Sequence, residues 1–154
     1  MGYSHCPALR QRLRSFPSVA AITLAAWSPL PSQAAQPGHE VIGKWKFVSA
    51  LDFTVPSSLD EQEAQQLLGH VLTISKNWSR FDDGQDCGVP GFETKRVEPS
   101  LYLQREAGIG ASKLKLPNPV TVVDINCTQV FVKKPNRVVI FWEGFFFEAV
   151  RVSR

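Results

Sequence analysis

The stretch from Arg137 to Arg151 constrains the fold more than any other in the chain, because it reads as two β-strands folded back on a Glu143-Gly144 turn. With those two residues as the loop, Trp142 faces Phe145, Ile140 faces Phe147 and Val138 faces Ala149, which makes one face of the hairpin wholly apolar. The other face pairs Phe141 with Phe146, Val139 with Glu148 and Arg137 with Val150, the mixture expected of a partly solvated surface. An apolar sheet face needs cover, from a second sheet or from curling of the sheet around its own side chains.

The N-terminal stretch reads differently. Arg10, Arg12 and Arg14 precede the apolar run Val19–Trp27, which is followed by Pro29, Pro31 and the small-residue site around Ala34. This is the order of a secretory signal peptide, with an apolar run too short for a bilayer core of about 30 Å. The expected domain plan is a signal peptide over 1–34 and one β-domain over 35–154, exported to a periplasmic or extracellular space, with no membrane span after cleavage. The three arginines account for the whole net charge of +3, so the mature chain is formally neutral. A nucleic-acid or anionic-membrane partner loses its electrostatic basis. A monomer is expected.

Two of the three cysteines, Cys87 and Cys127, lie in the mature chain, and in an exported protein they are expected to form one disulfide. The absence of a Cys-x-x-Cys pattern and of histidines near either cysteine argues against a redox pair or metal site.

Along the mature chain, Gly43–Phe53 alternates as a strand, with Trp45, Phe47, Ser49, Leu51 and Phe53 on one face. Ser58 and Glu61 form a capping-box pattern for a short helix that Gly69 closes, expected as a lid on the sheet. Strands are predicted over 70–75, 78–82 and 92–97, with the acidic stretch Asp82–Asp86 as a turn rather than a calcium loop, since Cys87 stands where that loop needs glycine. The segment 100–107 fits either a short helix or a strand, and 107–112 reads as a mobile loop. Strands return over 120–127 and 129–133. The predicted fold class is mainly β: an antiparallel barrel or strongly curved sheet of about seven to nine strands, with one helix after the first strand.

Gly43-Lys44-Trp45 on the first strand resembles the Gly-x-Trp opening of the lipocalin and wider calycin group. The group also places an arginine late in its last strand, packed over that tryptophan, and Arg151 matches in position and parity. The resemblance implies a cup-shaped barrel with Trp45 and Arg151 closing one end. The chain departs from the group in having its helix directly after the first strand.

No nucleophile with a base, paired carboxylates or metal-ligand spacing is apparent, so neither catalysis nor a cofactor is expected. His39 falls in the lead-in and His70 at a helix-to-strand junction without an identifiable partner; Asp52, Glu143 and Glu148 read as exposed charges. Asp124 shares parity with Val120 and Val122, so its carboxylate points either inward or to solvent. Asn77 and Asn126 sit in glycosylation acceptor patterns, with Asn126 disfavoured by its neighbouring cysteine.

Two functions follow as expectations. The first is an exported, non-catalytic binding protein holding a small apolar molecule among Trp45, Phe47, Ser49, Leu51, Ile140, Trp142, Phe145 and Phe147. The second is a module that binds an extracytoplasmic protein, for example as an inhibitor of a hydrolase, through the loops 84–91 or 107–112.

Overall fold

A computed structural model describes residues 36–153, all within one compact unit, Ala34–Arg154. The signal-peptide expectation over 1–34 lies outside the described residues. After a single 3-10 turn at His39–Val41, the strands are β1 (Gly43–Phe53), β2 (Val71–Ile74), β3 (Ser79–Phe81), β4 (Asp86–Gly88), β5 (Glu93–Val97), β6 (Val120–Asp124), β7 (Gln129–Lys134), β8 (Arg137–Trp142) and β9 (Phe145–Ser153). Two helices interrupt them, α1 (Glu61–Gln66) and α2 (Pro99–Ala107).

All nine strands belong to one antiparallel sheet in the order β4-β3-β2-β1-β9-β8-β7-β6-β5, curled into a half-barrel. The first and last strands meet in the middle, while β4 and β5, consecutive in sequence, form the two edges. The curl is fastened where the halves approach: Cys87 on β4 is bridged to Cys127 in the β6–β7 turn, with Cα atoms 5.5 Å apart. Beside the bridge, Asn126 donates through Nδ2 to the Val89 carbonyl at 2.8 Å.

The β8–β9 hairpin has the register its sequence predicts, from Trp142 opposite Phe145 to Arg137 opposite Val150. Glu143 and Gly144 both take positive φ, 47° and 95°, the combination that matches a two-residue turn to strand twist. Gly144 is needed for a second reason. A Cβ there would lie 2.6 Å from that of Ser57, because the 54–59 loop docks on the turn through Thr54 N–H to the Gly144 carbonyl and Ser58 N–H to that of Glu143.

That loop delivers α1. Its N-cap is Asp60, which accepts from Glu63 N–H while Glu63 accepts from the Asp60 N–H. The capping box therefore sits two residues beyond the predicted Ser58-Glu61 pair. Both spacings satisfy the sequence pattern, and the docking of Ser58 on the hairpin turn decides between them. Ala64 is fully buried and, with Leu59, Leu67 and Leu68, lids the inner core as expected.

Alternation along β8 and β9 splits the apolar residues into two cores on opposite faces of the sheet. Val138, Ile140, Trp142, Phe145, Phe147 and Ala149 enter the inner one, inside the curl. Val139, Phe141 and Phe146 enter the outer one with Val120, Val122 and Phe131. The outer face was expected to be partly solvated. It is covered instead by Tyr102 and Leu103 of α2 and by Leu114 of the segment that follows.

The segment 100–107 resolves as helix because both ends are marked: Glu98 caps it by accepting from Ser100 and Leu101 N–H, Pro99 occupies its first turn, and Gly108 ends it with φ 67°. Those same N–H bonds hold the Glu98 carboxyl below its ordinary range.

Candidate functional site

Six of the eight predicted lining residues gather on the inner face: Trp45, Phe47, Ile140, Trp142, Phe145 and Phe147. Ser49 and Leu51 do not join them. β-Bulges opposite β9 shift the pairing so that Ser49 faces Glu148 and Ala50 faces Phe147, and each inserted residue reverses which side chains point inward. Ala50 consequently packs on the inner core and Leu51 on the outer one.

The gathered rings fill the space they enclose. Phe47 stacks on Phe147 at 4.9 Å between centroids and meets Phe81 edge-on at 5.4 Å, while Phe81 meets Trp142 at 4.8 Å. Phe47 and Phe147 are completely buried. A small half-barrel with large aromatics pointing inward has little volume left for a guest.

Beyond the far end of these rings lies Arg151. Its guanidinium lies over the Trp45 ring at 4.2 Å and donates to the carbonyls of Ile42, Glu40 and Pro135. Trp45 in turn donates its indole N–H to the Val41 carbonyl at 2.6 Å. One cation thus ties the 3-10 turn, β1, β9 and the β7–β8 turn together.

An open cleft of about 300 Å³ lies on the outer face, between α2 and the β6–β7 turn. Phe131, Phe141 and Phe146 supply apolar wall from the sheet, Tyr102, Glu106 and Ala107 come from the helix, and Asp124, Thr128 and Gln129 come from the β6–β7 turn and the strand ends that flank it. Tyr102 donates its hydroxyl to Gln129 Oε1 at 3.0 Å, which ties helix to sheet across the cleft. Asp124 accepts from Asn126 N–H through Oδ1. It does share a face with Val120 and Val122, but that face is the outer one.

Thr128 is only 8 % exposed, and its Oγ1 is buried without a hydrogen-bond partner. Sequence reasoning missed this site. Its parts come from segments that are separated along the chain and meet only once α2 docks.

The remaining polar groups are accounted for locally. His70 has a partner after all: its Nδ1 lies 2.7 Å from Asp82 Oδ1. Desolvation acts upward on Asp82, yet the bonds from His70 and from Val71 N–H outweigh it and leave the carboxyl below its ordinary range. Both side chains are more than a third exposed. His39 packs edge-on against Phe92 at 4.8 Å.

Two carboxylates expected to be exposed are largely covered and ion-paired: Asp52 receives Lys113 at 3.0 Å, and Glu148 receives Lys133 at 2.7 Å and Arg137 at 3.0 Å. The Lys133 bond is the main reason that the Glu148 carboxyl lies below its usual range, against an opposing effect of burial.

Of the candidate loops, 107–112 packs Ala107, Ile109 and Ala111 onto the outer core instead of standing free. The stretch 84–91 contains β4 and is anchored by the disulfide. Among the described residues, no group of three or more His, Cys, Asp or Glu is placed to hold a metal ion, and no helix is long and apolar enough to cross a membrane. Comparisons with protein-family models, with curated proteins and with solved structures find no match.

Proposed function

We propose that this is an exported, non-catalytic binding protein, related in architecture to the lipocalin-like cups, that takes a small apolar-bodied molecule in the cleft between α2 and the β6–β7 turn. The observation that carries this reading is the contrast in free space. The inner aromatics pack against one another, whereas the outer face leaves about 300 Å³ open above Phe131, Phe141 and Phe146. That volume is at the small end of the range for small-molecule sites, which combine apolar walls with a few polar groups. The disulfide fits an oxidising compartment and thus export.

Titration of the full chain with 2-phenylethanol, followed by amide NMR, tests the reading. Shifts are expected at Tyr102, Ala107, Thr128 and Gln129, with none at Phe47 or Trp142. Ala107→Phe, which fills the cleft, is expected to abolish them. Uptake at Phe47 and Trp142 would instead restore a hollow interior.

One observation favours the second reading, a module that binds and inhibits an extracytoplasmic hydrolase. Trp78 and Val89 flank the paired Ser79 and Gly88 at the β4 edge and are 46 % and 65 % exposed. Exposed aromatics on a braced loop are the residues that anchor protein interfaces. Assays of purified hydrolases with the protein and with its Trp78→Ser variant separate this reading from the first: inhibition that the variant loses supports it.

A further inference from the structure

The two edges of the sheet are not alike. β4 is tied back by the Cys87–Cys127 bridge, whereas β5 ends the strand order and, among the described residues, is hydrogen-bonded through its backbone to β6 alone. The lead-in approaches β5 from the inner side, where Gly38 sits against the Thr94 side chain. We infer that the open edge is an interface with a second copy of the chain, formed by antiparallel pairing of β5 with β5 about a two-fold axis at Thr94. The monomer expected from the sequence is then one half of a weak dimer, and the pairing does not depend on occupation of the cleft.

The charges of β5 select that partner. Glu93, Lys95 and Arg96 are all exposed, and among the described residues none of them meets an opposite charge. Lys95 rests its ammonium on the Tyr102 ring, 4.6 Å from the centroid. In an antiparallel pair of identical strands the two-fold axis passes through one residue position, and that centre fixes every other pair. Centring on Glu93, Lys95 or Arg96 sets like charges face to face, which is unfavourable. Centring on Thr94 sets Glu93 of each copy opposite Lys95 of the other, with threonine facing threonine between them. Charges on an edge ordinarily turn foreign strands away. This alternation still does so, yet it admits its own copy.

The helix α2 supplies a second observation. Tyr102 stands at the level of the proposed axis: its ring meets Lys95, and its hydroxyl reaches Gln129, whose successive cross-strand neighbours are Asp124 and Glu93. Beside it, Leu101 is 74 % exposed and opens a groove with Val97 and Arg105 toward β5. The axis brings this groove against that of the second copy. The two Leu101 side chains then close over the paired edges and leave water together.

Sedimentation equilibrium of the oxidised chain tests the inference. A five-residue edge with one helix contact per copy is a small interface, so a dissociation constant of about 10 to 100 µM is expected. Glu93→Lys and Lys95→Glu, both at exposed positions, are each expected to weaken association at least about tenfold. An equimolar mixture of the two variants should recover the parental affinity, because a strand with two lysines then faces one with two glutamates. Leu101→Ser is expected to weaken the dimer about three- to tenfold. Amide spectra matching that of the parent establish that each variant is folded. A parent chain that stays monomeric to about 500 µM overturns the inference. A dimer indifferent to both charge reversals overturns it as well, and a mixture that fails to associate overturns the Thr94 register.

Discussion

The two faces of this one sheet have opposite fates. The inner face carries a larger set of aromatics and is sealed by α1 at the Phe145 end of β9 and by Arg151 over Trp45 at the other. The outer face is covered by one nine-residue helix and the segment after it, and beside that helix a cleft remains. The difference teaches that in a tightly curled sheet the concave side is consumed by packing, since side chains converge there. On the convex side neighbouring side chains diverge, so a short helix leaves gaps that the sheet cannot close by itself.

The largest effect that sharpens this contrast is expected from Phe47→Ala. Phe47 is fully buried between Phe81 and Phe147, so the change should destabilise by about 4 to 5 kcal/mol in urea unfolding. Phe141→Ala, at the half-covered margin of the cleft, should cost no more than about 2 kcal/mol. Similar costs at the two sites would break the distinction between a filled and a partly open face.

Next in size is the disulfide, which belongs to both regions: Cys87 is part of the inner core and Cys127 lines the outer cleft. Changing both to serine releases a crosslink between residues 40 apart in sequence, at a cost of about 3 to 4 kcal/mol on the chain-entropy estimate. Because the bridge anchors the β6–β7 turn, affinity of the cleft for 2-phenylethanol is expected to fall as well. Stability lost without any loss of affinity would show that the turn keeps its place unaided.

What the sequence makes legible follows from how local each signal is. The hairpin register is set by Glu143-Gly144 and by strict alternation, both contained in adjacent residues, and it is found as predicted. The Trp45–Arg151 contact was suggested by the lipocalin resemblance, and parity counted from the same hairpin gives only the face on which Arg151 lies. The β1 alternation misleads beyond Phe47 because nothing in Val48-Ser49-Ala50 distinguishes a bulge from regular strand; the partner strand imposes it.

The outer core was read as solvated surface because Glu148 and Arg137 share its parity. They form an ion-pair group with Lys133 at the margin of a face that is apolar in its middle. The cover for that face, α2, lies far earlier in the chain, and its own residues do not say which surface it will meet. The cleft inherits that limit. The three-residue β4 was missed for a simpler reason: it is too short to show a period.

Glu148 at that margin gives a smaller effect, with a pH signature. Its carboxyl is held below the ordinary value of about 4.3, chiefly by Lys133. A lowered folded value means that the unfolded chain takes up protons first. The stabilisation is therefore complete above about pH 5 and is lost as pH falls through the folded value. Glu148→Gln is expected to destabilise by about 2 kcal/mol at neutral pH. The variant should also show a flatter loss of stability between about pH 5 and pH 2 than the parent does. Parallel curves for the two proteins would mean that Glu148 binds its proton equally well in the folded and unfolded chain, so that Lys133 does not lower it.

The smallest effect has the opposite sign and bears most directly on the outer face. Thr128 Oγ1 is buried without a partner, so replacing the hydroxyl with a methyl group in Thr128→Val removes a desolvated polar atom at nearly constant shape. Such a change should raise stability, by about 1 kcal/mol. No inner-core substitution that shortens a side chain can do this, because each removes contacts that already stabilise. A gain in melting temperature with unchanged binding of 2-phenylethanol would identify the Thr128 hydroxyl as an unpaired buried group that an occupant of the cleft does not reach. A loss of stability would mean that an ordered water already serves the hydroxyl.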